Sequence, residues 1–595
     1  MLNEAEERLK QYFGYERFLE GQEQIIEKVL QHKKVMGIMP TGGGKSICYQ
    51  IPSLLQQGIT IVISPLISLM KDQVDEVREA GISATFINSS LSHEETMNRM
   101  AGLQNGEYCL LYLAPERLGH TEFLKQLKHI SVSLIAIDEA HCLSQWGHDF
   151  RPSYMDIPKF LDFVGEDVAV LALTATATPQ VATDICQALS IPDENVVKTG
   201  FARKNLTFSV VKGQDRDAYI LDYVKKHRGQ PGIIYATTRK EVERLHQRLE
   251  KENIQTEKYH GGMGSEERAS GQERFVYDEV DVMVATTAFG MGINKSNVRF
   301  VIHAQMPRNI ESYYQEAGRA GRDGAESDCV LLFAPQDIQT HQFLIDQSRL
   351  DDHRKENEYQ KLRQMVNYCH TEDCLQNQIL SYFGDAAKEP CGTCLHCTDT
   401  RSLQDVTRDA QMVFSCVKRM RERYGKTLVT QVLTGSSNQK IRQFRLHTLS
   451  TYGLLKKQPQ KNVTEFIDFL VAHEYLMLSD GAYPVLKLTN RALDVLQGKT
   501  EVLKKETIVA KTISNEDPLF EEMRQLRLSI AKQHEIAPYM VFSDQTLKEL
   551  CTSLPESESD MLKIKGIGQQ KLESFGQEFL DMITRYKTET NHERV

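Results

Sequence analysis

A single tryptophan in 595 residues, no uninterrupted apolar run of membrane-spanning length and no excess of positive charge set the first limits on this chain. The N-terminal MLNEAEERLKQYF lacks the apolar core of an export signal, and the longest apolar stretch, near residues 59–70, is broken by Ser64, Pro65 and Ser68. Secretion and membrane spanning are therefore not supported, and the expected compartment is the cytoplasm. A net charge of -10 argues against a uniformly basic surface of the kind that coats nucleic acid. Twelve cysteines do not imply disulfides, because eight are scattered singly and behave as small core hydrophobes.

What is present is local. Residues 401–461 hold thirteen Lys/Arg (Arg401, Arg408, Lys418, Arg419, Arg421, Arg423, Lys426, Lys440, Arg442, Arg445, Lys456, Lys457 and Lys461) against Asp405, Asp409 and Glu422. One strongly basic segment inside an acidic chain is what nucleic-acid attraction requires. Short β-branched runs at 35–39, 59–64, 110–114, 134–138 and 168–174 alternate with helical patterns and read as parallel α/β. The alternation resumes at 232–236, 280–286, 298–303 and 329–333, after a polar stretch near 212–216 that reads as a link between two domains.

The first strand is followed by Pro40-Thr41-Gly42-Gly43-Gly44-Lys45-Ser46. Glycines let backbone N–H groups close around phosphates, Lys45 supplies a point charge to the β- and γ-phosphates, and Ser46 offers a hydroxyl to Mg²⁺. Met39 stands where the strict phosphate-loop pattern has its first glycine. Asp138-Glu139-Ala140-His141 ends another apolar run, which suits Asp138 to holding Mg²⁺ and Glu139 to orienting or deprotonating water. The second α/β region carries Gln315-Glu316-Ala317-Gly318-Arg319-Ala320-Gly321-Arg322, whose arginines suit an arginine-finger role on developing phosphoryl charge.

Cys374, Cys391, Cys394 and Cys397 are spaced C-x16-C-x2-C-x2-C. Four thiolates at this spacing fit tetrahedral Zn²⁺ with no open position, a structural site. His370-Thr371-Glu372 with Pro390-Cys391-Gly392-Thr393-Cys394 formally matches a nucleobase-deaminase signature, but only 17 residues separate Glu372 from Pro390, too few for a deaminase pocket. His396 would strain the turn as a ligand and is expected to face solvent or phosphate.

PTGGGKS, SPLISLMKDQV, APERL, DEAH, LTATAT, TTAFGMGINKSNVRFVIH and SYYQEAGRAGRDG, in this order, resemble superfamily 2 helicases and, more closely, the RecQ family. Ser144-Gln145-Trp146-Gly147-His148-Asp149-Phe150-Arg151 resembles that family's aromatic-rich loop, which implies that Trp146, His148, Phe150 and Arg151 sense single-stranded DNA and couple it to hydrolysis. Phe13-Gly14-Tyr15 through Gln22 resembles its adenine-reading motif, implying that Tyr15 stacks on the base and Gln22 bonds its edge, although Leu19-Glu20 replaces the family's Arg-Pro.

The resemblance spans nearly the whole chain. It implies a multidomain α/β protein: two tandem RecA-like P-loop lobes at 1–205 and 206–340, a helical zinc-binding subdomain at 341–404, a winged helix at 405–500, a linker at 501–514 and a helicase-and-RNase-D C-terminal domain at 515–595. The implied activity is ATP-dependent 3′ to 5′ DNA unwinding in recombination, repair or replication-fork maintenance. Its cofactors are ATP, Mg²⁺ and structural Zn²⁺. Its partners are single-stranded and duplex DNA, with single-stranded-DNA-binding protein and other repair factors, for a monomer associated with the nucleoid. Arg442, Tyr539 and Lys571 are expected DNA contacts, and a short hairpin within 475–488 is the candidate strand separator. The alternatives are an RNA helicase of the same superfamily and a nucleic-acid scaffold with weak ATPase.

Overall fold

Apolar runs such as Ile59-Thr60-Ile61-Val62-Ile63 can only be covered on both faces by helices, and the chain builds two such sheets. In the computed structural model the described residues are 2–592, apart from 66, 166, 213–214, 291–294, 386–388, 400–402, 480–483, 506–517, 535, 556 and 565. The first lobe contains β1 (Lys34–Ile38), β2 (Ile59–Ile63), β3 (Ala84–Ile87), β4 (Leu110–Leu113), β5 (Val132–Ile137), β6 (Ala169–Thr174) and β7 (Val196–Lys198). All pair in parallel, in the order β3-β4-β2-β5-β6-β1-β7. The second lobe contains β8 (Leu206–Lys212), β9 (Gly232–Tyr235), β10 (Thr256–Tyr259), β11 (Val282–Ala285), β12 (Phe300–His303) and β13 (Ser327–Phe333). These are parallel too, in the order β10-β11-β9-β12-β13-β8.

The nine strands legible as apolar runs are the interior ones. The four that were not legible, β3, β7, β8 and β10, are the sheet edges. An edge strand covers less apolar surface, so its sequence is freer to carry polar residues, as Thr256-Glu257-Lys258-Tyr259 does. Because β8 already belongs to the second sheet, the polar stretch near 212–216 does not link the lobes. It leads from β8 into the helix Arg216–Lys226 inside the second lobe, and residues 213–214 lie outside the described set.

Helices Pro335–Gln347, Asp352–His370 and Leu375–Tyr382 carry the chain into the cysteine-rich turn. A separate apolar core then forms around Val413, Phe414, Val432, Ile467 and Leu470. It carries the antiparallel pair Leu476–Leu478 and Leu486–Leu488, with the expected hairpin tip at 480–483 outside the described residues. The expected linker at 501–514 needs correction at its start. Leu503–Lys505 pairs antiparallel with Leu403–Asp405, and the Val406 amide donates to Val502, so this piece closes the winged-helix unit. The rest of that linker lies in 506–517, outside the described residues. A last helical unit runs from Pro518–His534 to Gln577–His592 around its own core. Among the described residues, no helix is long and apolar enough to cross a membrane.

Candidate active site

The phosphate loop leaves the C-terminal end of β1, where parallel α/β sheets place their ligands. Gly42 and Gly44 adopt φ of 84° and 69°, a left-handed backbone that glycine takes without strain, so the turn is built for backbone approach to an anion. Lys45 and Ser46 then lead into the helix Ile47–Ser53. The Gln22 amide nitrogen donates to the Gly43 and Gly44 carbonyls at 3.3 and 2.9 Å, while its oxygen accepts from the Leu19 amide at 2.8 Å. Gln22 thus braces the phosphate loop. Tyr15 is 37% exposed.

Asp138 follows β5 directly. Its backbone is fixed by its N–H, which donates to the Ile63 carbonyl, and by the Tyr154 hydroxyl, which donates to its carbonyl at 2.9 Å. Burial, then the neighbouring Glu139, push its carboxyl up to about 6, while Lys45 pulls it back. A cation between these carboxylates and the phosphate loop would restore the ionised form, which is the donor set Mg²⁺ takes. Glu139 sits at φ 48°, a left-handed conformation costing about 1–3 kcal/mol for a side-chain-bearing residue. Its Oε2 is buried without a hydrogen bond and lies 3.3 Å from His141 Nδ1.

A line of rings runs outward from there. His141 Nδ1 also meets the Thr174 hydroxyl at 3.0 Å, and its ring stacks on His148 at 4.4 Å. His148 Nε2 lies 3.2 Å from Gln315 Oε1, on the other lobe. Burial lowers both histidines, His141 well below the usual range, which favours neutral rings. Trp146, 37% exposed, packs edge-on against His353 at 5.3 Å. Lys361 donates to the Trp146 carbonyl at 2.8 Å, Arg354 lies over the Phe150 ring at 5.2 Å, and Arg151 bonds Asp149 and the Pro65 carbonyl. The zinc-proximal helix Asp352–His370 therefore holds the aromatic loop from outside, a support no motif announced.

Across the cleft, Arg319 is 4% exposed and its Nε and Nη1 find no hydrogen-bond partner. Buried donors left open beside a phosphate loop fit an anionic oxygen. Burial first, then Arg319 and Arg203, lower Arg322 to about 10. Arg203, not singled out by any motif, joins the lobes. Its guanidinium donates to the Thr41 carbonyl on one side and to Gly318, Ala320 and Gly321 carbonyls on the other. Its position just before β8 carries no sequence signal beyond being an arginine between two folding units.

The Sγ atoms of Cys374, Cys391, Cys394 and Cys397 all lie within 4.8 Å of one another. Cys391 and Cys397 are 3.8 Å apart, and Cys374 and Cys394 4.0 Å. A tetrahedron with metal–sulfur bonds of about 2.3 Å has edges of about 3.8 Å, so the set fits Zn²⁺ and leaves no position for substrate. Burial raises the Cys391 thiol, but the Cys394 amide and Thr393 outweigh it and bring it to about 6, toward the ligand form. His396 Nδ1 meets the Asp373 carbonyl at 3.0 Å in a solvent-accessible setting.

Of the thirteen basic residues between 401 and 461, eleven are exposed, Arg442 among them, on the helix Gln439–Gln443. Lys426 is instead spent on Asp468 at 2.6 Å, and Arg401 lies outside the described residues. Tyr539 and Lys571 are each partly buried, near carboxylates of the first lobe. Burial, opposed by Glu76 and Glu79, lowers Lys571 to about 8, and burial with Glu76 and Asp72 raises Tyr539.

The chain matches the DEAD/DEAH box helicase family over residues 19–185, the helicase conserved C-terminal domain over 215–324, RecQ zinc-binding over 335–398, the RQC domain over 400–512 and the HRDC domain over 516–583. It is 52% identical over 592 residues to the ATP-dependent DNA helicase RecQ of Bacillus subtilis (strain 168), covering 99% of this chain and 100% of that protein. Proteins of the same name from Pasteurella multocida and Haemophilus influenzae are each 38% identical, over 98% and 97% of this chain and 94% and 95% of their own.

Proposed function

The chain belongs to the RecQ family of ATP-dependent DNA helicases, and we propose that it moves 3′ to 5′ along one DNA strand by closing and reopening its two lobes around ATP. Lys45 and the amides of Gly42, Gly43 and Gly44 hold the phosphates, and Tyr15 stacks on the base. Mg²⁺ held by Ser46 and Asp138 neutralises phosphate charge when bound. Glu139 orients the attacking water and takes its proton. Arg319 and Arg322 meet the charge that develops on the transferred group.

The observation that carries this reading is the path Glu139–His141–His148–Gln315, which starts at the base, passes through the aromatic loop and ends on the lobe bearing the arginines. A strand stacking on Trp146 displaces this loop and so alters both sides of the cleft at once. The exposed basic face of the winged helix holds the duplex, and the Leu476–Leu488 region, with Met477 49% exposed, wedges the fork. Expected partners are single-stranded-DNA-binding protein and other repair factors, with the chain acting as a monomer.

The test is ATP turnover with and without single-stranded DNA or RNA, then strand displacement from substrates with 3′ or 5′ tails, with Lys45→Ala as control. DNA-stimulated turnover and displacement from 3′ tails are expected. Turnover indifferent to DNA, stimulation by RNA alone, or unwinding only from 5′ tails would sink the reading.

A further inference from the structure

Arg203 stands on the segment that joins the two lobes, and that segment is tied to both. At its start the Thr199 amide donates to the Ile38 carbonyl of β1, and it enters β8 at Leu206. Between these ends the Phe201 amide donates to Asp385 Oδ2 at 2.8 Å, the Tyr314 hydroxyl donates to the Phe201 carbonyl at 2.6 Å, and the Phe201 ring stacks on Phe383 at 4.5 Å. The connection is braced rather than loose, and it aims the Arg203 side chain.

A guanidinium carries five N–H donors in one plane, and each finds an acceptor here. Nε donates to Asn205 Oδ1 at 3.3 Å, Nη1 to the Thr41 carbonyl and to that of Gly318 at 3.4 Å, and Nη2 to the Ala320 and Gly321 carbonyls at 3.1 and 2.9 Å. Asn205 supports the same loop, its amide nitrogen donating to the Gly321 and Ala325 carbonyls at 2.9 Å each. Among the described residues no carboxylate bonds this buried cation, and Asp323, which acts on it through space, is paired with Arg299 at 2.7 Å. A buried charge without a counter-ion is unfavourable, and apolar side chains would pack two lobes together as well. What the planar fork alone does, and a lysine does not, is hold two loops at a set separation. The fit is close. An added Cβ on Gly42 would lie 3.3 Å from Arg203 Nη1 and 3.6 Å from the Arg322 Cα, and one on Gly318 would lie 3.2 Å from the Thr41 Cβ.

We propose that Arg203 is a positioning residue for hydrolysis, its fork setting the distance between the phosphate loop and the arginine loop so that Arg319 and Arg322 reach the terminal phosphate only while it bridges them. Its partners are carbonyls, whereas the phosphate loop binds its ligand through amides, so Arg203 acts on the loops and touches no reacting atom. The proposal rests on the finger role given above to Arg319 and Arg322. Without the fork, ATP still binds the first lobe through Lys45 and the glycine amides, but the arginines of the second lobe are not delivered to it.

Arg203→Lys keeps the charge and loses the fork, while Arg203→Ala loses both. In the full chain with saturating oligothymidylate, both should lower kcat for ATP about a hundredfold and leave KM within about threefold of the parent. Hydrogen exchange with a non-hydrolysable ATP analogue gives a reading apart from turnover. The analogue should protect residues 41–46 in the parent and in both variants, and residues 318–322 in the parent alone. Asn205→Ala leaves Arg203 in place and removes its support, so it should lower kcat about fivefold at unchanged KM. Turnover restored by lysine, a KM that rises in step with the loss of kcat, or protection of 318–322 in the Arg203 variants would overturn the proposal. Should neither Arg203 variant fold, Asn205→Ala protein with the kcat and the 318–322 protection of the parent would overturn it as well. A parent whose 318–322 the analogue leaves unprotected would overturn the finger role itself, and this proposal with it.

Discussion

The cysteine clasp and the nucleotide cleft are built in opposite ways. The clasp draws its four ligands from residues 374–397, two of them with Sγ already accepting a neighbour's backbone N–H, and four thiolates leave a tetrahedral Zn²⁺ no open position. The cleft gathers residues from Gln22 to Arg322 on two separately folded sheets, and its two sides meet through Arg203 and the contact of His148 with Gln315. A site assembled locally resists change, whereas a site assembled from two bodies changes whenever the bodies move. The first suits a brace and the second a motor.

That contrast can be broken most sharply at Lys45. Lys45→Ala should reduce ATP turnover by about a thousandfold with no shift in the melting temperature; a loss of stability of similar weight to the loss of turnover would show that the cleft is a structural site as well. The clasp should behave in reverse. Metal analysis should find one equivalent of zinc per chain, and Cys391→Ser or chelation should lower DNA binding by about tenfold and bring on a separate low-temperature unfolding step, with DNA-free turnover within about threefold of the parent. Metal-free protein with unchanged calorimetry would remove the brace from the comparison.

Finer variants separate the link between lobes from the cleft itself. His148→Ala removes the stacked ring and the Gln315 contact and should cost about tenfold in DNA-stimulated turnover, with DNA-free turnover unchanged. An equal fall in both rates would place His148 in the hydrolytic machinery rather than in its coupling to DNA. The smallest expected effect is at Arg442, on a helix of the unit that has its own apolar core. Arg442→Ala should weaken duplex binding about two- to threefold and reduce the salt slope by about one, and an undiminished slope would take this arginine off the DNA face.

Much of this was legible before folding. Interior strands announce themselves because both faces are buried, and the phosphate loop, Asp138-Glu139, the paired arginines and the cysteine spacing are each contiguous. The edge strands were not legible, because an edge carries little apolar burden. Arg203 and the supporting helix Asp352–His370 were missed for a related reason: their partners lie far off in sequence, and an isolated arginine or lysine has the same composition whether it faces water or a neighbouring lobe. Tyr539 and Lys571 show the same limit. Their types suit single-strand DNA contacts, and in the folded chain carboxylates of its own first lobe lie near them.

By itself the sequence determined the order of the domains, the two ATP-binding motif blocks and the zinc ligands, all of which depend on short spacings and on which residues must be buried. Only the tertiary structure decided that Gln22 braces the phosphate loop, that a pair of stacked histidines reaches Gln315 on the other lobe and that the last domain packs against the first. Those are contacts between surfaces, and a surface's partner depends on where separately stable units come to rest, information spread over the whole chain rather than held in any one segment.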